Sequence, residues 1–428
     1  MTDPTPKSFR LKAACVILLA VVVRVAFVAA VGRGVLKTEF NPDSWDYISF
    51  AYNLATGVGF AHAVNDSQPF SQPVEFSASR APLYPMFLAA AFQFSREAWF
   101  LRSLQIAVAA ASVYLFLRLG LVLFGELPAL IAGMAMALYP PLIMFSVDLD
   151  TENLFLFLLI AGLYVLCAAA KGISPARVFG FGVLVGLAAL CRPGGLMLIP
   201  AFTLAILLVT RDWGRSLRMV IVLGIAVAMI VLPWTYRNYR LFHEFVPITT
   251  NGGLSLWGGA HLRLEPGAKL DDLAYALHRE LRDVPEPERD RYYYHRAFVI
   301  LDHSPRLFGE MLLRNFAAMY NPLPSALYHR LRIRLVYSLS YIPLLVSGVI
   351  GFWMLRRRWR ELSLLWAWVF TETVFYCFYY GQIRYRVPTV DPILMLGSGV
   401  CLAALLGRLR RRSVAGGPGA PECRFFLA

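Results

Sequence analysis

Apolar stretches long enough to cross a bilayer recur along nearly the whole chain, and few folds can accommodate them. A hydrocarbon core of roughly 30 Å takes about 20 helical residues, and every backbone polar group inside it must be bonded within the segment. Candidate crossings lie at 13–31, 98–123, 127–145, 153–170, 178–191, 195–210, 219–234, 333–355, 361–380 and 388–407. Of the 428 residues, 58% are hydrophobic and only 16% charged, a balance that excludes an ordinary soluble domain. The expected fold class is an all-α polytopic membrane protein with about ten transmembrane helices.

Lys7, Arg10 and Lys12 precede the first apolar stretch, Ala13 to Val31. That stretch lacks a small-residue cleavage site after a short core, so it reads as a retained span and not as a signal peptide. Arg24 lies inside it and is expected to face the protein interior, because a charge facing lipid is costly.

The formal net charge of +14 is concentrated in short segments between apolar runs, the pattern of membrane orientation and headgroup contact. Nucleic acid is not an expected partner; membrane lipids are. With a cytoplasmic N-terminus, the cytoplasmic segments hold Arg118, then Lys171 and Arg177, then Arg211, Arg215 and Arg218, then Arg356, Arg357, Arg358 and Arg360, and finally Arg408, Arg410, Arg411 and Arg412. Alternation and charge therefore agree on a multi-pass protein of the cytoplasmic (inner or plasma) membrane with both termini in the cytoplasm. The transmembrane domain is expected at 1–410, with large exterior loops at 32–97 and 235–332, and a disordered cytoplasmic tail at 411–428. Pro82 to Phe94 and Arg306 to Tyr320 are short, apolar and aromatic, as interfacial helices are. Cys15, Cys167, Cys191, Cys377, Cys401 and Cys423 form no CxxC pair or zinc spacing and read as packing residues.

This topology gathers polar residues at the exterior ends of the spans: Asp43 and Asp46, Arg80, Asp148, Asp150 and Glu152, Arg192, Arg237 and Asn238, Arg384 and Arg386. One outward-facing pocket can collect them. Pro42 and Asp43 can start a short helix with Tyr47, Ala51 and Leu54 on the face against the membrane, and locally Asp43 also reads as an N-cap. The arginines singly suit interfacial anchoring, but together they exceed what anchoring requires, and guanidinium forks fit phosphate oxygens. Asp148-Leu149-Asp150 matches the DxD pattern of nucleotide-sugar transferases, yet follows a transmembrane helix instead of a strand. His62 and His261 read as exposed loop histidines.

Asp43-Ser44 to Tyr47 with Gly57-Val58-Gly59-Phe60, Arg80-Ala81-Pro82-Leu83-Tyr84-Pro85, Tyr139-Pro140-Pro141 leading to Thr151-Glu152, Leu190-Cys191-Arg192-Pro193, Pro233-Trp234-Thr235-Tyr236-Arg237-Asn238 and Arg384-Tyr385-Arg386-Val387-Pro388 follow one another in order. Together they resemble membrane-embedded C-type (GT-C) glycosyltransferases, in particular the family related to protein O-mannosyltransferases and aminoarabinose transferases. The resemblance runs to about residue 400 and implies the GT-C architecture. It also implies transfer of a sugar, with inversion, from a polyprenyl-phosphate-sugar donor to a lipid, glycan or protein acceptor. Such a reaction needs a carboxylate to take the acceptor's proton and cations to stabilise the departing phosphate.

Carried over residue by residue, Asp43 matches the family's first-loop catalytic aspartate, and Glu152 the second acidic position, which orients the acceptor or sugar. Tyr47, Asp46, Arg80, Arg192, Arg237, Asn238, Arg384 and Arg386 are the expected substrate-binding set. Related transferases often place another acid after the first aspartate and, in the aminoarabinose transferases, one before the arginine. Here those positions are Ser44 and Ser79, so a divalent metal lacks support and no cofactor is expected. The stretch Tyr236 to Pro305 is expected to cover the site, with Tyr292, Tyr293 and Tyr294 in packing roles. The rival reading is a transporter or flippase of lipid-linked sugars. It calls for midplane ionisable residues on interrupted helices and for internal repeats, and Arg24 alone answers that description.

Overall fold

The computed structural model describes residues 7–31, 43–63, 74–167, 173–210, 212–261, 281, 284–302, 305–324 and 331–413. In chain order the helices are α1 (Lys7–Val31), α2 (Asp43–Ala55), α3 (Leu83–Phe92), α4 (Ala98–Phe124), α5 (Glu126–Leu138), α6 (Pro140–Phe145), α7 (Glu152–Cys167), α8 (Pro175–Cys191), α9 (Leu198–Val209), α10 (Trp213–Phe242), α11 (Gly252–His261), α12 (Glu286–Asp302), α13 (Pro305–Tyr320), α14 (Leu331–Met354), α15 (Ser363–Phe378), α16 (Ile383–Thr389) and α17 (Asp391–Ser413). Two short strands, β1 (Ala61–Ala63) and β2 (Val74–Phe76), pair antiparallel with His62 opposite Glu75.

Every expected crossing coincides with a helix. Among the described residues five helices, α1, α4, α10, α14 and α17, are long and apolar enough to cross a membrane. Others are shorter because the sequence interrupts them. The run 127–145 divides into α5 and α6 where Pro140 and Pro141 follow an extended Tyr139, and a 3-10 turn at Pro193–Met197 precedes α9.

The packing follows one chain of neighbours. α10 lies against α8, α8 against α7, α7 against α4, α4 against α5, α5 against α17 and α17 against α14, while α15 packs on α9. Lipid gives helices no hydrophobic reason to associate, so close contact depends on small residues. A Cβ at Gly182 would stand 2.6 Å from the Ala226 Cβ, and one at Gly186 would stand 2.7 Å from the Ile230 Cβ. The α14–α17 contact is tighter still, with backbone meeting backbone at Gly351 and Gly397. Arg24 is buried as expected, its Nη1 donating to the carbonyls of Ala20 at 3.1 Å and Ala137 at 3.0 Å. Lys12 and Glu126, 2.6 Å apart, tie the starts of α1 and α5.

Several expectations are corrected. Tyr47 and Ala51 of α2, expected to face the membrane, are buried against protein, and Tyr47 meets the Tyr84 ring edge-on at 5.4 Å. α3, read as interfacial, packs against α2 and α8. The stretch from Tyr236 is not loop at first, since α10 continues to Phe242, where His243 closes it in a left-handed conformation. Gln382 to Pro388, expected as a loop, is mostly the short helix α16. His62 and His261 are half-buried, His62 beside Phe50 and His261 stacked on Trp257 at 4.7 Å. Cys15 is exposed, whereas Cys167, Cys191 and Cys377 are buried. Cys423 and the tail lie outside the described residues.

Candidate active site

Five chain segments meet at one end of the bundle, one of them the turn into α7 with Asp150 and Glu152. α2 presents Asp43 and Asp46 from its first turn, three residues apart and so on one face. Arg80 comes from the extended stretch before α3, Arg192 from the break after α8, and Arg384 from α16. Asn53 fixes the return of the chain from α2 by donating to the Ala61 carbonyl at 2.9 Å. Gly57 and Gly59, at φ of 83° and 115°, make the turn that this return requires.

Ion pairs bind these segments together. Arg80 Nη2 lies 2.7 Å from both Asp43 Oδ1 and Asp46 Oδ2, and its Nε donates to Asp46 at 2.9 Å. Arg384 bridges three carboxylates with one guanidinium: Nη1 to Asp43 Oδ2 at 2.7 Å, Nη2 to Asp150 Oδ2 at 2.9 Å and Nε to Glu152 Oε1 at 2.6 Å. Arg192 Nη1 reaches the same Glu152 oxygen at 2.6 Å and lies over the Tyr385 ring at 5.2 Å. The Asp150 and Glu152 side chains are 1% and 0% exposed, whereas those of Asp43 and Arg384 are 25% and 26% exposed. The arrangement is thus two-layered, with buried carboxylates behind and the arginines with Asp43 in front.

The charge states follow from this layering. Burial pushes the Asp43 carboxyl up, but the charges and hydrogen bonds of Arg80 and Arg384 outweigh it and hold the group well below the usual carboxylate range. In the loop before α7 burial prevails: Asp148 is raised to about 7, with the nearby Glu152 charge adding to the effect and Arg384 and Arg102 opposing it. Asp150 is raised for the same first reason. Arg384 pairs with Asp150 at 2.9 Å, whereas the Asp148 Oδ1 is buried without a hydrogen-bond partner. Among the described residues no group of three or more His, Cys, Asp or Glu could hold a metal ion; the position between Asp43, Asp150 and Glu152 is taken by the Arg384 guanidinium.

In front of this cluster is a cavity of about 480 Å³, lined by Asp43, Tyr47, Arg80, Arg192 and Arg384. Its other walls are aromatic, with Tyr294, Phe375, Tyr376, Tyr379, Tyr380 and Tyr385, and polar, with Asn251, Ser255 and Asp290. Tyr376 and Tyr385 stack face to face at 4.4 Å. The structure therefore brings together Asp43, Asp46, Tyr47, Arg80, Glu152, Arg192 and Arg384. Glu152 touches no cavity wall; it stands behind Arg192 and Arg384 and fixes them.

Arg237, Asn238 and Arg386 are not at the cavity. Arg237 donates to the carbonyls of Ser77 at 2.8 Å and Phe60 at 3.0 Å and stacks on Trp234. Asn238 donates to Val246 and Ile248 carbonyls. Both clasp loops to the end of α10. Arg386 is fully buried, paired with Asp391 at 2.8 Å and packed on the Tyr341 ring, with Tyr139 also donating to Asp391. It joins α16 to α17 and to α14.

The tyrosine wall escaped the sequence reading, although Tyr376, Tyr379, Tyr380 and Tyr385 crowd around Arg384 in the sequence. Of the three adjacent tyrosines on α12, Tyr293 packs against Trp257 as expected, but Tyr294 lines the cavity.

Residues 79–236, less than half of the chain, match the family model described as dolichyl-phosphate-mannose-protein mannosyltransferase; Arg80, Asp150, Glu152 and Arg192 fall inside this segment. Solved structures extend the likeness to the whole fold. The archaeal oligosaccharyltransferase AglB from Archaeoglobus fulgidus, in complex with an inhibitory peptide and a dolichol-phosphate, is 15% identical with a TM-score of 0.58 over 96% of this chain and 52% of that one. The oligosaccharyltransferase of Archaeoglobus fulgidus in the apo form gives 14% and 0.57 over 95% and 53%. ArnT from Cupriavidus metallidurans bound to undecaprenyl phosphate gives 14% and 0.44 over 96% and 80%. The chain spans about half the length of the oligosaccharyltransferase, and no curated protein matches it in sequence. The likeness to the oligosaccharyltransferase structures is one of fold, and with the long apolar helices it supports a multi-pass membrane protein.

Proposed function

We propose that the protein is an inverting glycosyltransferase that moves a sugar from a polyprenyl-phosphate carrier to an acceptor hydroxyl on the exterior face of the membrane. The observation that carries this reading is the convergence of Arg80, Arg192 and Arg384 on a cavity beside Asp43. A dolichol-phosphate in the oligosaccharyltransferase of similar fold gives the proposed carrier a precedent.

Without ligand the arginines are occupied by carboxylates. A donor phosphate entering the cavity competes with Asp43 for Arg80 and Arg384, and planar forks can turn from one oxyanion to another. As those cations engage the phosphate, Asp43 loses the partners that hold its basicity down. The acceptor oxygen then attacks the anomeric carbon and its proton passes to Asp43. The bond from that carbon to the phosphate oxygen breaks with its electron pair, and the arginines stabilise the charge that develops there. Glu152 and Asp150 keep Arg192 and Arg384 in place from behind.

The test is to incubate purified protein in liposomes with a panel of polyprenyl-phosphate sugars and to follow the appearance of free polyprenyl phosphate. Release that depends on acceptor and on Asp43 is expected. Passage of intact lipid-linked sugar across the bilayer with no cleavage would favour a flippase instead.

A further inference from the structure

The cavity wall carries an acidic group besides the arginines and Asp43 already described. Helix α12 presents Glu286, Asp290 and Tyr294 at intervals of four residues, which places them along one stripe of the helix. Asp290 and Tyr294 both line the cavity.

Several bonds fix that stripe. Glu286 Oε1 accepts from the Ala78 amide at 3.0 Å and from the Thr250 hydroxyl, while the Thr250 amide donates to the Ala78 carbonyl at 3.1 Å. Helix α12 is thereby fastened to the segment that carries Arg80, two residues further on. One turn along, the Gly253 amide donates to Asp290 Oδ1 at 2.7 Å. A Cβ at Gly253 would fall 2.2 Å from the Asp290 carbonyl oxygen, and one at Gly252 would fall 2.2 Å from the Tyr294 hydroxyl. Only glycines let α11 approach α12 this closely, and the contact holds Asp290 in one orientation. Its Oδ1 is taken by the backbone, which leaves Oδ2 as an acceptor on the cavity wall.

A rigid carboxylate on the wall of a cavity lined by tyrosines suits a polyhydroxylated ring. Aromatic faces cover the apolar surface of the ring, and a carboxylate accepts from its hydroxyls in charge-assisted bonds. We infer that Asp290 is a specificity-determining residue, accepting a hydrogen bond from a hydroxyl of the donor's sugar ring while Tyr294 and the tyrosines of α15 flank that ring. The inference rests on the donor reading above: the arginines hold the phosphate, and Asp290 holds the sugar that it carries.

Asp290→Asn tests it. The amide oxygen still accepts from the Gly253 amide, so the α11–α12 contact is retained, while the group facing the cavity becomes a donor. Affinities of the purified full-length protein are measured for bare polyprenyl phosphate and for a panel of polyprenyl-phosphate hexoses and pentoses. The wild type should prefer at least one sugar-bearing lipid over the bare phosphate. Asp290→Asn should weaken that lipid about tenfold, the value of one charged hydrogen bond, and leave the bare phosphate within about twofold. Arg384→Lys should weaken both lipids alike. A wild type with no preference for sugar-bearing lipid, equal losses on both lipids in Asp290→Asn, or an effect on acceptor KM alone would each overturn the assignment. Failure of bare phosphate to respond to Arg384→Lys would instead strike at the donor reading itself.

Discussion

Replacing Arg384 by alanine removes one guanidinium from three carboxylates, and the structure shows that the three losses are unequal. Asp43 keeps Arg80 at 2.7 Å, and Glu152 keeps Arg192 at 2.6 Å. Asp150, 1% exposed, keeps the Thr151 amide at 2.6 Å and hydroxyl at 3.1 Å but still faces the Glu152 charge. Removing one partner of a buried ion pair costs about 3–5 kcal/mol. A cost near 3 kcal/mol is expected here, because Asp150, already raised by burial, escapes part of the penalty by binding a proton.

That escape fixes the sign of a pH dependence. Without Arg384 the folded Asp150 carboxyl rises further, so between its unfolded and folded values the native state binds more protons than the unfolded state. Stability then falls as pH rises through that window. The wild-type Asp150, raised to about 8, already carries that fall at lower pH, so the deficit of Arg384→Ala, read as loss of apparent Tm in detergent, should be larger at pH 9.5 than at pH 7. A second change, Asp150→Asn, should restore most of the added loss at pH 9.5, as coupled neighbours do. A deficit that ignores pH and is not relieved by Asp150→Asn would refute the claim that Arg384 compensates the buried carboxylate.

Asp43→Asn should abolish transfer in protein that is inserted and folded normally, since an amide cannot take the acceptor's proton; near-native turnover would move the base elsewhere. Arg384→Lys should weaken polyprenyl phosphate binding by about 1.5–3 kcal/mol, the range for a hydrogen bond to a charged group. Arg386→Met should lower apparent Tm by exposing Asp391 to an unpaired state, yet leave that affinity unchanged in the folded fraction. Asp148, raised by burial to about 7 from an ordinary value near 3.9, should contribute stability below that window that is lost as pH rises towards 7; Asp148→Asn should flatten this fall in a series of melts. A cysteine replacing Arg358 should resist an impermeant external label, whereas one in the loop after α10, at Glu244, should react; the reverse result would invert the proposed orientation.

The bundle was legible because a bilayer imposes a length and a composition on each crossing, and 13–31, 98–123 and 219–234 announce themselves by both. Breaks within crossings were less legible, since Pro140 and Pro193 can kink a helix or end it. At the site, Asp43, Arg80, Arg192 and Arg384 were found because charge at the ends of apolar runs is rare and their sidedness agreed. Arg386 misled because it stands two residues from Arg384, and only the fold shows that Asp391 and the Tyr341 ring enclose it. Arg237 and Asn238 misled for a similar reason: loop carbonyls at residues 60, 77, 246 and 248 need donors, and no local pattern shows such a need. Asp290 was invisible because its position depends on α11 folding back onto α12 through Gly252 and Gly253.

The central claim is that the cavity receives a carrier phosphate beside a carboxylate base. A structure of the protein in nanodiscs with polyprenyl phosphate tests it most directly. The claim predicts the phosphate within hydrogen-bond distance of at least two of Arg80, Arg192 and Arg384, with Asp43 released from Arg384 and open to the cavity. A phosphate bound elsewhere, with Arg384 still bridging Asp43, Asp150 and Glu152, would contradict it.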